Sequence, residues 1–249
     1  MKMNEEENMT PSKKWLEEYN KKTDIMRPES SLEKYFTDKE IAGNKIDVIS
    51  MGKIKITSGE IIACDPIAYL DNDTNPFFDK FPCGEFDVTA SVIIDEERIA
   101  AVRIRFTDET PVKYREALYG DEPLDEIETQ GDFFGYPVDS GMGCFIDRDA
   151  AEKLSEFIVR NEENNDSFNL YQDYFAEFLE KNAKSNPKYQ REDGDWVNMP
   201  VPESGGNMVI FSSGYGDGYY PAYIAEDKNG NICQLVTQFI DAELDDDEE

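Results

Sequence analysis

The chain has 249 residues, of which 55 are acidic, 25 basic and none histidine, for a formal charge of −30. The missing imidazole excludes Ser-His-Asp and Cys-His catalysis, histidine general bases and histidine metal sites. The first eight residues carry −2 and the last nine −7, so −21 remains on the body, which argues against nucleic acid and anionic membranes as partners.

Thr10-Pro11 reads as the cap and first position of a helix with Trp15, Leu16 and Tyr19 on its apolar stripe. A second short helix is predicted over Ser31–Phe36. The period then shortens to two. Ile46, Val48 and Ser50 alternate with Asp47 and Ile49, Lys53–Thr57 alternates again, and Glu60–Cys64 resumes after Ser58-Gly59, which predicts a strand or hairpin meander. Asp71–Pro76 is a loop. Its Asp71-x-Asp73-x-Asn75 spacing resembles a calcium loop, but Pro76 stands where glycine is required and Pro82 where glutamate is required, so an EF-hand is rejected.

Phe86, Val88, Ala90, Val92 and Ile94 form the cleanest alternation. With Arg98–Phe106 they predict a long, half-buried antiparallel hairpin. Thr110-Pro111 again reads as a helix start, through Val112, Arg115, Glu116 and Leu118. Asp147 or Asp149 caps a helix through Leu154, Phe157 and Ile158. Ser167 opens another with Leu170, Tyr174, Phe178 and Leu179 at helical spacing. Asn182–Gly206 reads as a mobile polar loop. Asn207–Ser212 is a strand, and Tyr219–Ala225 pairs with Ile232–Phe239 across a turn containing Asn229-Gly230. The fold class expected is α+β, a mainly antiparallel β-sheet with helices packed on one side or end. The expected organisation is a helical extension over 1–45, a single domain over 46–240 and an acidic tail over 241–249.

Two segments crowd glycine, acid and small residues together: 135–145, with Asp139, Ser140 and Gly141, and 212–221, with Asp217, Gly218, Tyr219 and Tyr220. Glycines let backbone approach a ligand closely, but Asp-Gly pairs also make plain turns at strand ends. The two segments are expected side by side at one end of the sheet, with Asp139 and Asp217 sharing a polar site. Asp139, Asp147 and Asp217 are the candidates for a hard-cation cluster. Cys144 reads as a nucleophile near a helix N-terminus or as a buried thiol, and Gly-Cys-Phe-Ile favours the latter. Arg103 and Arg105 share a strand face. They suit either an anion clamp or cross-strand pairing with Asp87 or Glu85.

No two of Cys64, Cys83, Cys144 and Cys233 form a CxxC pair, which excludes zinc ribbons and thioredoxin motifs. The N-terminus has no apolar signal-peptide core and no run approaches 18 apolar residues, so a cytoplasmic chain with reduced thiols is expected. No motif calls for a cofactor.

The segments GEIIACDPIAY, ERIAAVRIRFTDETPVKYREAL, GYPVDSGMGCFID and GYGDGYYPAYIAEDKNGNICQLVTQF together resemble the bacterial family called domain of unknown function 4241. The resemblance runs from about Gly52 to Phe239. The family pattern has glycine at Pro137, alanine at Ser140 and an Asp-Phe pair where Gln238-Phe239 stands. It implies one fold over that span and no particular activity. The leading expectation is an acidic binding protein, in concrete form an immunity or inhibitor protein for a basic protein partner. The alternatives are a carboxylate-dependent, divalent-cation hydrolase and a module for a small polar, polyhydroxylated ligand with Asp217, Tyr219 and Tyr220 as contacts.

Overall fold

A computed structural model describes residues 11–71 and 73–243. Thr10, Glu5-Glu6-Glu7 and the acidic residues 245–249 lie outside them. In chain order the elements are α1 (Lys13–Lys22), α2 (Lys34–Thr37), β1 (Glu40–Ile41), β2 (Asn44–Ile56), β3 (Ile61–Cys64), β4 (Gly84–Ile93), β5 (Arg98–Arg105), β6 (Lys113–Glu116), β7 (Tyr136–Val138), β8 (Met142–Asp147), α3 (Arg148–Asn164), α4 (Ala176–Ser185), β9 (Trp196–Pro200), β10 (Asn207–Ser212), β11 (Gly218–Tyr220), β12 (Ala222–Glu226) and β13 (Ile232–Gln238).

The strands form a seven-stranded sheet in the order β1-β2-β4-β5-β13-β12-β6, a four-stranded sheet β3-β8-β10-β9 and a two-stranded ribbon β11-β7. Every ladder is antiparallel, so the α+β class holds. The two larger sheets share one core. Val88, Val92, Val102 and Ile104 belong to it together with Ile61, Phe145, Val209 and Phe211 of the smaller sheet. Side chains alternate across a strand, so the neighbours of Phe145 face the other way. Cys144 and Ile146 enter a second core, closed by Leu154 of α3 and Leu179 of α4. The result is three layers: sheet, sheet and helices. A third cluster joins Tyr19 and Met26 to Leu118, Leu124 and Ile127, with the Trp15 and Tyr19 rings stacked 5.1 Å apart.

The β4–β5 hairpin forms as the alternation predicts, with Ala90 opposite Val102 and Val88 opposite Ile104. It is more than half buried. β5 is covered on both faces from Ile99 to Ile104, because the Arg103 guanidinium lies 4.1 Å from the Phe36 ring and is roofed by the segment around α2. Several expected elements shift. Ser12, not Thr10, caps α1 by accepting the Trp15 N–H at 3.2 Å. The second helix is confined to Lys34–Thr37. β3 does not continue the β2 meander but pairs with β8 in the other sheet. The helix expected from Ser167 begins as a π-helical turn over Tyr171–Phe175 before α4. The expected loop over 182–206 contains the end of α4 and all of β9, which pairs with β10. Tyr219 and Tyr220 belong to the ribbon and not to β12.

The predicted helix after Thr110-Pro111 is instead β6, the edge strand beside β12. Its alternation carries the reason. Arg115 is held by Asp79 at 2.7 Å and Glu226 at 2.9 Å, while Glu116 points inward and is fully buried. One Glu116 oxygen accepts the N–H groups of Phe134 at 2.9 Å and Gly135 at 2.7 Å. The other has no hydrogen-bond partner among the described residues. Burial pushes this carboxyl up to about 8 against the pull of the two amides.

A carboxyl raised on folding binds its proton more tightly in the native state. Its contribution is therefore complete below the ordinary carboxylate range and lost as pH rises toward 8. Urea melts from pH 5 to 9 are expected to show a loss of up to ~1.4 kcal/mol per pH unit across that window. Glu116→Gln keeps an acceptor oxygen and cannot ionise, so it flattens the slope and is the more stable protein at pH 9.

Candidate functional site

The two glycine segments meet. β7 and β11 pair with Val138 opposite Gly218, Pro137 opposite Tyr219 and Tyr136 opposite Tyr220. A second link lies beyond the ribbon, where the Ser213 N–H donates to the Gly141 carbonyl at 3.0 Å. Gly135 is required by close approach: a Cβ there would sit 2.8 Å from the Tyr220 carbonyl oxygen. Gly141 adopts φ +71° and faces the Gly216 Cα across 3.8 Å of Cβ space, a conformation that other residues take at a cost.

Asp65, at the end of β3, holds the first segment in place. Its carboxylate is fully buried. One oxygen accepts the N–H groups of Ile67 at 2.8 Å and Ala68 at 3.0 Å and the Ser140 hydroxyl at 2.8 Å. The other accepts the N–H groups of Asp139 at 3.0 Å and Ser140 at 2.7 Å. Five donors compensate this buried acid. Asp65 is not among the site residues predicted from the sequence. Its signal was an acid closing an apolar strand and followed by proline, the pattern of a side chain that turns back on its own backbone.

Between the segments lies a cleft of about 740 Å³. Ser140, Gly141 and Met142 form one wall and Ser212, Gly214, Tyr215 and Gly216 another. The β4–β5 turn contributes Glu96 and Glu97, the start of β5 contributes Arg98, and the chain before β9 contributes Tyr189, Gln190, Arg191, Asp193 and Asp195. The groups are braced. Arg98 donates to the Gly214 carbonyl at 2.6 Å and lies 5.1 Å from the Tyr215 ring, whose hydroxyl donates to Glu96 at 2.8 Å. Arg191 is paired with Asp195 at 2.8 Å, and that hydrogen bond raises its guanidinium above the usual range. Ser213 and Tyr220 both donate to the Gly216 carbonyl, at 2.7 and 2.8 Å.

The remaining candidates sort by position. Asp139 is exposed and accepts the Tyr69 hydroxyl, which that bond pushes up to about 12. Asp217 is exposed at the same end of the ribbon, and its carboxylate has no hydrogen-bond partner among the described residues. Asp217, Gly218, Tyr219 and Tyr220 stand outside the cleft, which their neighbours 214–216 line. Asp147 is elsewhere. It caps α3 through the Asp149 N–H at 3.2 Å and receives the backbone and hydroxyl groups of Thr57 and Ser58. The three aspartates form no cation cluster, and among the described residues no group of three Cys, Asp or Glu side chains is placed to hold a metal.

Cys144 is fully buried beside Cys64, which fits the buried thiol and not the nucleophile. Arg103 pairs with Glu33 at 3.5 Å and Arg105 with Asp108 at 3.1 Å. The expected partner Asp87 pairs with Lys53 at 2.8 Å, and the buried Arg103 and exposed Arg105 make no common clamp.

Residues 54–237 match the model of a family described as "Protein of unknown function (DUF4241)". The chain belongs to this family. The matched span contains every residue named above as lining the cleft, together with Asp65, and begins after α1, α2 and β1. No curated protein and no solved structure matches the chain. No helix among the described residues is long and apolar enough to cross a membrane.

Asp65→Asn sets an amide NH2 against backbone donors. It is expected to cost ~2–4 kcal/mol in urea denaturation, whereas Ser140→Ala, which removes one neutral donor, costs about 1 kcal/mol.

Proposed function

We propose that the protein is a binding module for a small, uncharged polyhydroxylated ligand, such as a sugar, held in the cleft between the glycine segments. One observation carries this reading. Segments more than sixty residues apart in the chain, matched in composition, converge as walls of one cavity. Its volume of about 740 Å³ lies within the ordinary range of ligand sites. Tyr171, Tyr189 and Tyr215 supply faces for stacking, and Gln190, Asp193 and the two arginines supply directional hydrogen bonds. Glu96, Glu97, Asp193 and Asp195 outnumber Arg98 and Arg191, which disfavours phosphorylated ligands and favours hydroxyl-rich neutral ones.

A panel of neutral mono- and disaccharides and nucleosides, assayed by thermal shift, tests the proposal. At least one member is expected to raise Tm by a few degrees when present at about a hundred times Kd. Arg98→Gln, at an exposed position, should abolish that shift while leaving the ligand-free Tm within about two degrees. A panel without any shift overturns the reading.

A basic protein partner is favoured by a different observation. Tyr219 and Tyr69 are exposed beside Asp139 and Asp217 on the ribbon. Exposed tyrosines with carboxylates make an interface composition suited to a cationic surface. Tyr219→Ala should then weaken capture of such a partner from host lysate. Raising salt from 50 to 300 mM should slow association at least tenfold, as the Debye length falls from about 14 to about 6 Å.

A further inference from the structure

The second core contains two thiols that the cleft does not use. Cys64, the last residue of β3, and Cys144, in β8, are direct partners in the antiparallel ladder. Their sulfurs are 3.8 Å apart and both side chains are buried. Directly opposed antiparallel residues have Cα atoms about 4.5–5.5 Å apart, inside the span of about 4.4–6.8 Å that a disulfide bridges. The other two thiols have no such neighbour. Cys83 is exposed and points at the Thr57 carbonyl at 3.4 Å, and Cys233 points at the Ala225 carbonyl at 3.4 Å.

The pair sits at a consequential place. Cys64 precedes Asp65, and Cys144 follows the segment that Asp65 holds through Asp139 and Ser140. A bond between the sulfurs would clamp the strand bearing the anchor to the strand leading out of the anchored segment.

We infer that Cys64 and Cys144 are a modification site, a dithiol that closes to a cross-strand disulfide by exchange with a low-molecular-weight disulfide. The thiolate of Cys64, the less completely buried of the two, attacks one sulfur of the reagent. The reagent S–S bond breaks, and the departing thiolate takes up the proton that Cys64 released. The thiolate of Cys144 then attacks the Cys64 sulfur, the mixed disulfide breaks, and the second reagent thiol leaves with the Cys144 proton. The protein pair loses two electrons and two protons, and the reagent gains both. The Sγ–Sγ hydrogen bond with Cys144 and burial raise the Cys64 thiol well above its ordinary range, so exchange is slow at neutral pH and quickens as pH rises. The inference stands whether or not the cleft takes a sugar.

The test incubates the full chain with trans-4,5-dihydroxy-1,2-dithiane (oxidised dithiothreitol) at pH 8.5, then alkylates it under denaturing conditions and maps peptides by mass. The expected result is one linkage, joining the Cys64 and Cys144 peptides with a loss of about 2 Da, while Cys83 and Cys233 alkylate fully. The linked protein should melt about 5 °C higher, because the bond closes a long loop in the unfolded chain. Cys83→Ser/Cys233→Ser should form the same linkage. Cys64→Ala and Cys144→Ala, each with a folded circular dichroism spectrum, should form no intramolecular linkage. Four alkylatable thiols after prolonged incubation, or a linkage through Cys83 or Cys233, overturns the inference. If the alanine variants do not fold, the double serine variant alone decides it.

Discussion

The architecture around the cleft depends on one buried carboxylate. Asp65 closes β3 inside the protein, where an unpaired charge would cost several kcal/mol. It meets that cost with five hydrogen bonds. Two donors come from its own turn and three from Asp139 and Ser140, so a single side chain fixes the distance between the four-stranded sheet and the first glycine segment. The rest of the site follows from that position. The ribbon partner β11, the Ser213 contact with Gly141 and the wall formed by 214–216 are all registered on a segment that Asp65 has placed.

The same device recurs. Glu116 receives the amides of Phe134 and Gly135, Asp147 those of Thr57, Ser58 and Asp149, and Asp227 those of Asn229 and Asn231. Each is a buried acid among the described residues, and each fastens a loop by its backbone. Acidic side chains thus have an interior role as well as an exterior one. Loops that strand ladders cannot reach are held by acceptors aimed at their free N–H groups.

How much of this could be read from the residues depended on the range of the physics involved. The β4–β5 hairpin was legible because Val88 to Ile94 alternate without interruption and burial follows the alternation. The pairing of the glycine segments was legible from composition alone. β6 was not, because Thr110-Pro111 imitates a helix cap and the strand is only four residues long, with its sheet partner β12 more than a hundred residues away. β9 hid in a polar stretch because Asn198 serves the fold through its side chain, donating to the Met51 and Lys53 carbonyls at 2.9 Å. The metal cluster failed for a related reason. Sequence distance from Asp139 to Asp147 is short, but the β8 strand between them carries Asp147 to the cap of α3.

The order of strands in the seven-stranded sheet sets a constraint on when the protein can become itself. β5 lies between β4, its neighbour in sequence, and β13, whose Val236 sits opposite Arg103. During synthesis β5 therefore waits with one open, apolar edge until some 130 further residues have emerged. Such non-local closure slows folding and lengthens the time for which a strand edge can recruit the wrong neighbour. For a nascent chain in that interval, mutual repulsion between copies carrying a large negative charge is the protection that matters, and it acts before any binding site exists.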